Sequence, residues 1–249
     1  MAFEGLRTVR GIIRSLRIYY GDRRRAAAMD RLYSGLVRRG DLVFDIGAHV
    51  GDRVASFRRL GARVVAVEPQ PALSRLLKVF YRRSADVAIE AVAVGRGVGT
   101  ADLMINPDNP TVSTASREFV SAARDASGWE TQRWTRSVAV PVTTLDALIG
   151  KHGVPAFIKI DVEGFEAEAL RGLSRAVKAL SFEFTIIQRE VALACIERCA
   201  ALGYLRFNAA LGESQRFVQD NWVDAEAIAR WLTELPDAAN SGDIYAALA

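Results

Sequence analysis

Hydrophobic residues in this chain occur in two patterns, short continuous runs and longer stretches spaced by three or four, and the two patterns alternate. The alternation is clearest between Asp41 and Gln70. Leu42, Val43, Phe44 and Ile46 form an apolar, strand-favouring run that breaks at Gly47, as a strand buried on both faces does. From Asp52 to Leu60 the apolar positions Val54, Ala55, Phe57 and Leu60 keep helical spacing. Gly61 follows, where a helix C-terminus favours a residue free to take positive φ. Arg63 to Val67 is a second β-branched run, stopped at Glu68-Pro69 because proline cannot donate to a ladder. Strand, glycine turn, helix and strand make the right-handed crossover of a parallel sheet.

The alternation continues on both sides. Leu6, Val9, Ile13, Leu16 and Tyr20 predict an amphipathic helix over Met1 to Tyr20, and Arg23 to Val37 reads as a second. Residues 1–39 thus form a helical cap ahead of a domain spanning 40–249. Such a cap can cover a ligand cleft, pair with a second copy as a homodimer or lie on a membrane surface, and periodicity does not choose among these. Leu73, Leu76, Leu77 and Phe80 mark a helix after Pro71, leading to a third strand over Val87 to Val94 and an extra strand over Gly99 to Ile105. Residues 106–137 are rich in Asn, Pro, Ser, Thr and Arg, with weak helical pattern only from Ser116 to Ala126. A connection that long reads as a lid or substrate loop, or else as disordered, with Trp129 and Trp134 available to stack on an organic substrate or to pack against the sheet.

Further strands are expected at Val138–Val142, Ala156–Ile160, Leu180–Ile187, Tyr204–Asn208 and Gly242–Leu248. Helices are expected at 144–149, capped by a threonine, after Glu166 with Leu170 and Leu173 on one face, at Val191–Leu202 and at Asp224–Leu235. Strands alternating with helices describe an α/β fold.

Composition narrows this picture. With 249 residues and 50% hydrophobic side chains, the chain can build a large core, which excludes a disordered protein. The net charge of +4 is local: residues 1–39 hold ten arginines against Glu4, Asp22 and Asp30, giving +7 there and −3 elsewhere. The basic end can touch anionic surfaces or be a solvated helix face, and no nucleic-acid partner is expected. Cys195 and Cys199, at i and i+4 of a helix, read as small buried residues in a reducing compartment. No stretch is long and apolar enough for stable membrane insertion and no signal-peptide core is present, so a cytoplasmic protein is expected.

The glycine turn carries the candidate chemistry. Gly47 and Gly51 lack Cβ atoms, so backbone N–H groups can approach a ligand, and the following helix aims its positive end at the same place. Glu68, about twenty residues on at the tip of the neighbouring strand, can take a ribose diol. The spacing is D-x-G-x-x-x-G rather than the G-x-G-x-x-G of pyrophosphate loops, and the acidic Asp45 favours a cationic ligand. S-adenosylmethionine (SAM), with its ammonium, carboxylate, sulfonium and ribose, meets a partner for nearly every group. Its adenine would fall near Glu90 to Ala93. The plainer reading is a crossover whose glycines permit tight packing. A second cluster follows the strand Ala156 to Ile160, where Asp161 and Glu163 crowd the carboxyl end that also bears Asp45 and Glu68. Four carboxylates in one crevice call for a cation, a sulfonium or a metal, unless Asp161 and Glu163 only complement a helix dipole.

The segments DIGAHVG, VEP, VPVTTLDALI and FIKIDVEGFEAEAL together resemble the FkbM family of SAM-dependent methyltransferases over roughly Leu42 to Phe184. The K-I-D-V-E-G-x-E block is the most distinctive part. The resemblance implies the class I (Rossmann-like) methyltransferase fold, a seven-stranded, mostly parallel sheet with helices on both faces and a final antiparallel hairpin. It also implies O-methylation of a hydroxyl on a sugar or natural product, with Asp45, Gly47 and Gly51 around the methionine part of SAM, Glu68 at the ribose and Asp161 near the reactive methyl. Where the family commonly has asparagine, this chain has His49.

Transfer from a sulfonium depends mainly on positioning, but an alcohol still has a proton to lose. Asp161 is the first candidate base, with Glu163 and His49 behind it. His152, the only other histidine, lies in a connecting loop. A metal-assisted variant with Asp161, Glu163 and Glu183 as Mg²⁺ ligands is the main alternative, and a non-catalytic SAM-binding module is a third reading. A short-chain oxidoreductase is disfavoured by the lack of a Tyr-x-x-x-Lys pair.

Overall fold

A computed structural model describes residues 2–249; Met1, where the predicted first helix begins, and the side chain of Leu6 lie outside the described residues. Helices α1 (Ala2–Gly21) and α2 (Arg23–Ser34) come first. The crossover is β1 (Leu42–Ile46), α3 (Asp52–Arg59) and β2 (Arg63–Val67), followed by α4 (Pro71–Phe80), β3 (Val87–Glu90), β4 (Ala93–Val94) and β5 (Gly99–Ile105). Next are α5 (Arg117–Arg124), β6 (Arg136–Thr143), α6 (Leu145–His152), β7 (Phe157–Ile160), α7 (Glu166–Arg171) and β8 (Ala179–Thr185). The chain closes with α8 (Arg189–Ala201), β9 (Arg206–Leu211), α9 (Ala225–Glu234) and β10 (Ser241–Ala247).

Seven strands form one sheet in the order β3-β2-β1-β7-β8-β10-β9. β10 runs antiparallel to both neighbours, whereas the other pairings are parallel. This is the class I methyltransferase arrangement. The chain winds outward from β1 to β3 and returns to β7 on the other side of β1, so the β1/β7 boundary is the switch point where a crevice opens beyond the strand ends. Successive strand residues face opposite layers. Val43 and Phe157 pack with Met29, Tyr33, Val54 and Phe57 of α2 and α3, while Phe44, Ile46, Ile158 and Ile160 pack with Leu170, Ile196 and Leu232 on the other face. Helix α2 is therefore part of the core; Asp22 caps it, accepting from Arg24 and Arg25 N–H, and it ends at Ser34, three residues short of the expected Val37.

Two expectations are corrected. Val87 to Val94 is not one strand: β3 belongs to the large sheet, while β4 pairs with β6 in a three-stranded sheet of order β4-β6-β5. The chain leaves one sheet for the other at Ala91 and Val92, and the partner responsible lies some fifty residues away, out of reach of local pattern. Helix α1 forms as expected, but part of its apolar stripe faces outward, with Leu16 half-buried. A Cβ at Gly11 would stand 2.7 Å from the Pro107 carbonyl and 2.8 Å from the Pro110 ring, so the helix lays its small face, with Gly11 and the buried Ser15, against that loop. Val9, Ile13 and Tyr20 are left exposed. Among the described residues no helix is long and apolar enough to cross a membrane.

Candidate active site

The turn after β1 is built from backbone constraints. Gly47 has φ +85°, and a Cβ there would lie 1.7 Å from the Asp161 carbonyl oxygen, so only glycine lets the β1 turn pass the β7 loop. Gly47 and Ala48 N–H both donate to the Val67 carbonyl, at 2.9 and 3.0 Å, which ties the turn to the end of β2. His49 follows with φ +48°, a left-handed conformation uncommon without glycine, and its N–H donates to Glu68 Oε2 at 2.8 Å. Gln70 N–H donates to the other carboxylate oxygen of Glu68, also at 2.8 Å. Asp45, in register between Ala66 and Lys159, is buried, and its Oδ2 has no hydrogen-bond partner. Burial pushes the Asp45 carboxyl up to about 7 against the pull of Lys159 and Arg53. Burial likewise raises Glu68 to about 7, although its two backbone donors oppose the shift.

The β7 side holds a different set of charges. Lys159, fully buried in the middle of β7, donates to Asp161 Oδ2 at 3.0 Å and to Asp243 Oδ1 at 2.8 Å. Asp243 stands directly opposite Glu183 in the β8/β10 pairing. Burial works to raise Asp161, but Lys159 and then Arg53 overcome it and hold this carboxyl below its ordinary range. Glu163 and Glu183 go the other way: burial, then the charge of Asp161, pushes both well above the usual carboxylate range. The cluster thus sets one carboxyl held low beside two pushed high, with ligand oxygens within 4.8 Å of one another. Glu163 has φ +55°, and its carbonyl accepts from Thr114 Oγ1 at 2.6 Å. As for the alternative that Asp161 and Glu163 complement a helix dipole, both lie ahead of the first turn of α7. α7 starts only at Glu166, and it is the Glu166 carboxylate that takes the free N–H of Val162, at 2.9 Å.

The walls come from segments outside the crossover. Thr111, Ser113 and Thr114 of residues 106–137 line the cavity, as does Tyr19 from α1. The Tyr19 ring stands edge-on to His49, centroids 5.4 Å apart, and His49 Nε2 lies 3.5 Å from Thr111 Oγ1. Burial lowers the His49 pKa to about 4, so its imidazole is neutral at pH 7. Trp129 and Trp134 do not face the cavity. Both pack edge-on against Phe119 of α5, and Trp134 Nε1 donates to the Val112 carbonyl at 2.7 Å, so they brace the loop itself.

Asp45, Gly47, His49, Glu68, Ala93, Asp161, Glu163 and Glu183 thus meet around one cavity. Gly51, expected at the cofactor, is not in its wall. Its φ of +84° starts α3, and a Cβ there would meet Leu77 at 2.7 Å, so this glycine serves helix packing. Sequence reasoning missed Lys159, Asp243, Arg53 and Glu213. A lysine inside the apolar run AFIKI was the available signal for the first. The others had none: Arg53 pairs with Asp52 at 3.0 Å and with Glu213 at 3.3 Å, and Glu213 is 160 positions away.

The family model for the methyltransferase FkbM domain matches residues 45–235, more than three quarters of the chain. The chain belongs to the FkbM methyltransferase family. No curated protein matches it. Among solved structures, this FkbM chain is similar to the precorrin-6y C5,15-methyltransferase of Geobacter metallireducens, with 13% identity over 90% of this chain and 87% of that one, at a TM-score of 0.43. A TehB-like SAM-dependent methyltransferase of Corynebacterium glutamicum shows 12% identity over 89% and 88%, at a TM-score of 0.44. Aeropyrum pernix fibrillarin, solved with natively bound S-adenosyl-L-methionine, shows 12% over 85% and 68%, at a TM-score of 0.45.

The cofactor of this FkbM methyltransferase is SAM. The residues present fit it: an orphaned acceptor on Asp45 and the oriented carboxylate of Glu68 form an anionic recess without an ion-pair partner of its own among the described residues. Such a recess is completed by a ligand that brings positive charge and hydroxyl donors, and would reject a diphosphate.

Proposed function

We propose that this chain methylates a hydroxyl oxygen of a small sugar-like or natural-product acceptor, with Asp161 taking the hydroxyl proton. The observation that carries this reading is the asymmetry of the carboxyl cluster, in which Asp161 alone of the three is paired with Lys159, at 3.0 Å, and is held below its ordinary range while the other two are pushed above theirs. When bound, SAM supplies a methyl on a sulfonium whose carbon–sulfur bond breaks with its electron pair going to sulfur. Asp161 accepts the proton as the acceptor oxygen bonds to the methyl carbon. Glu163 and Glu183, whose carboxyls burial pushes toward the protonated form, orient the acceptor through hydrogen bonds. Neutral His49, beside Thr111, is a second proton acceptor within the cavity. Asp45, Gly47, Glu68 and Ala93 form the side that holds the cofactor. Lys159 keeps Asp161 charged without reaching the cavity wall itself.

The test is labelled methyl transfer to a panel of hydroxylated acceptors, with Asp161→Asn as the variant. Its kcat should fall by about 10²–10⁴, the usual contribution of a general base, while SAM affinity changes less than about threefold. An undiminished rate removes Asp161 from the chemistry. A product methylated on carbon or nitrogen, read by NMR, overturns the hydroxyl assignment.

The close approach of Asp161, Glu163 and Glu183 oxygens favours a second reading, in which these three residues would hold Mg²⁺ and the ion would supply Lewis-acid activation of the acceptor hydroxyl. Lys159 already supplies the cluster with one positive charge, which weakens that case. Loss of turnover in EDTA, restored by Mg²⁺, would establish it.

A further inference from the structure

We infer that the outer face of α1 docks on an anionic lipid surface. The helix is amphipathic, yet part of its apolar side faces away from the protein. Its inner face offers Gly11, Ser15 and Tyr19, while Val9, Ile13 and Ile18 stand 52%, 43% and 53% exposed. Those apolar residues do not stand alone. Arg10, Ile13, Arg14, Arg17 and Ile18, at helical spacings of three and four, line one shallow groove along the outside of the helix. None of the three arginines makes an ion pair among the described residues, and no acidic residue occurs between Arg7 and Gly21.

Charge decides between the occupants of such a face. A second copy of this chain would set Arg10, Arg14 and Arg17 against an equally cationic stripe, so self-association through it is opposed. Anionic headgroups neutralise all three, while Val9, Ile13 and Ile18 reach the boundary between headgroups and acyl chains, and the arginine stems lie along the same apolar surface. The inner face of the same helix carries Tyr19, which lines the cavity, so docking would bring the cavity close to the lipid. This inference stands whatever the methyl acceptor is.

Co-sedimentation of the full chain with vesicles tests it. Vesicles of phosphatidylcholine containing phosphatidylglycerol should carry the protein down, vesicles of phosphatidylcholine alone should not, and high salt should release it. The triple variant Arg10→Ser/Arg14→Ser/Arg17→Ser should lower partitioning about 100-fold, and Ile13→Asp/Ile18→Asp should also weaken it. All five positions are exposed, so far-UV circular dichroism and SAM affinity should match the parent chain and exclude misfolding as the cause. Equal uptake by both vesicle types overturns the proposal, as does uptake that the triple variant leaves unchanged. It is also overturned if no vesicle binds and Ile13→Asp dissolves a dimer seen by sedimentation velocity, or if only a soluble polyanion is bound.

Discussion

The two sides of the cavity contrast in how they handle negative charge. On the β1/β2 side, Glu68 is buried with backbone donors only and Asp45 is buried with its Oδ2 unpartnered, and burial lifts both to about 7. On the β7/β8 side, a fully buried lysine is provided, and its charge holds Asp161 below its ordinary range. The first side is left incomplete and suits a ligand that brings its own cation. The second brings its own cation to Asp161, while Glu183 Oε2 stays without a partner and open to an acceptor. One cavity thus holds two environments that push similar side chains apart in pKa, a common way for a site to divide binding from acid–base work.

That contrast can be broken most severely at Lys159. Lys159→Met leaves Asp161 and Asp243 without their buried cation and should destabilise the fold by about 3–5 kcal/mol in chemical denaturation, with Lys159→Arg costing much less. Next come the carboxyls of the same side. Against the large loss expected for Asp161→Asn, Glu183→Gln should slow turnover less than about tenfold, because burial and the charge of Asp161 already push the Glu183 carboxyl toward its neutral form. Equal losses would mean that the charge is shared. On the cofactor side, Asp45→Asn should weaken SAM binding by about tenfold at pH 8, measured by calorimetry, and leave kcat at saturation nearly unchanged.

The smallest expected effect is the most diagnostic. In the fold Asp45 and Glu68 keep protons up to about pH 7 that the unfolded chain gives up at its ordinary values of 3.8 and 4.5. The folded state therefore binds more protons across that window. Its stability without ligand is greatest below about pH 4 as far as these two groups are concerned, and it declines as pH rises through 7. A cation that prefers the ionised carboxylates gains affinity over the same rise. SAM should bind up to about tenfold tighter at pH 8 than at pH 6, and Asp45→Asn should flatten that slope. A flat profile in the parent chain would remove the contrast between the two sides.

Much of the fold was legible because its signals are local. The run Leu42–Ile46, the helix ended near Gly61 and the run Arg63–Val67 each announce themselves within ten residues, and the strands and helices follow them closely. Thr144 capping α6 and Asp224 capping α9 are equally local. Failures came where a distant partner decides. β4 leaves the main sheet for β6, and α1 turns by the demand of Pro107 and Pro110 on Gly11, so part of its stripe faces away from the core. The site divides the same way. Asp45, Glu68, Asp161 and Glu163 sit at strand tips, where topology alone gathers them. Arg53 and Glu213 meet only through the folded chain, and Lys159 was hidden by the apolar residues on either side of it.

The close approach at Gly47 bears on stiffness. With the Asp161 carbonyl where a methyl would stand, the loops after β1 and β7 touch main chain to main chain, and no side chain lies between them to absorb a displacement. They form a rigid bracket, so the spacing between the two halves of the cavity is inherited from the sheet and is not adjustable by changing rotamers. Adaptation to a different acceptor then falls to the walls made of side chains, Thr111, Ser113 and Thr114 and Tyr19 of α1, where a substitution can reshape the cavity without disturbing the bracket.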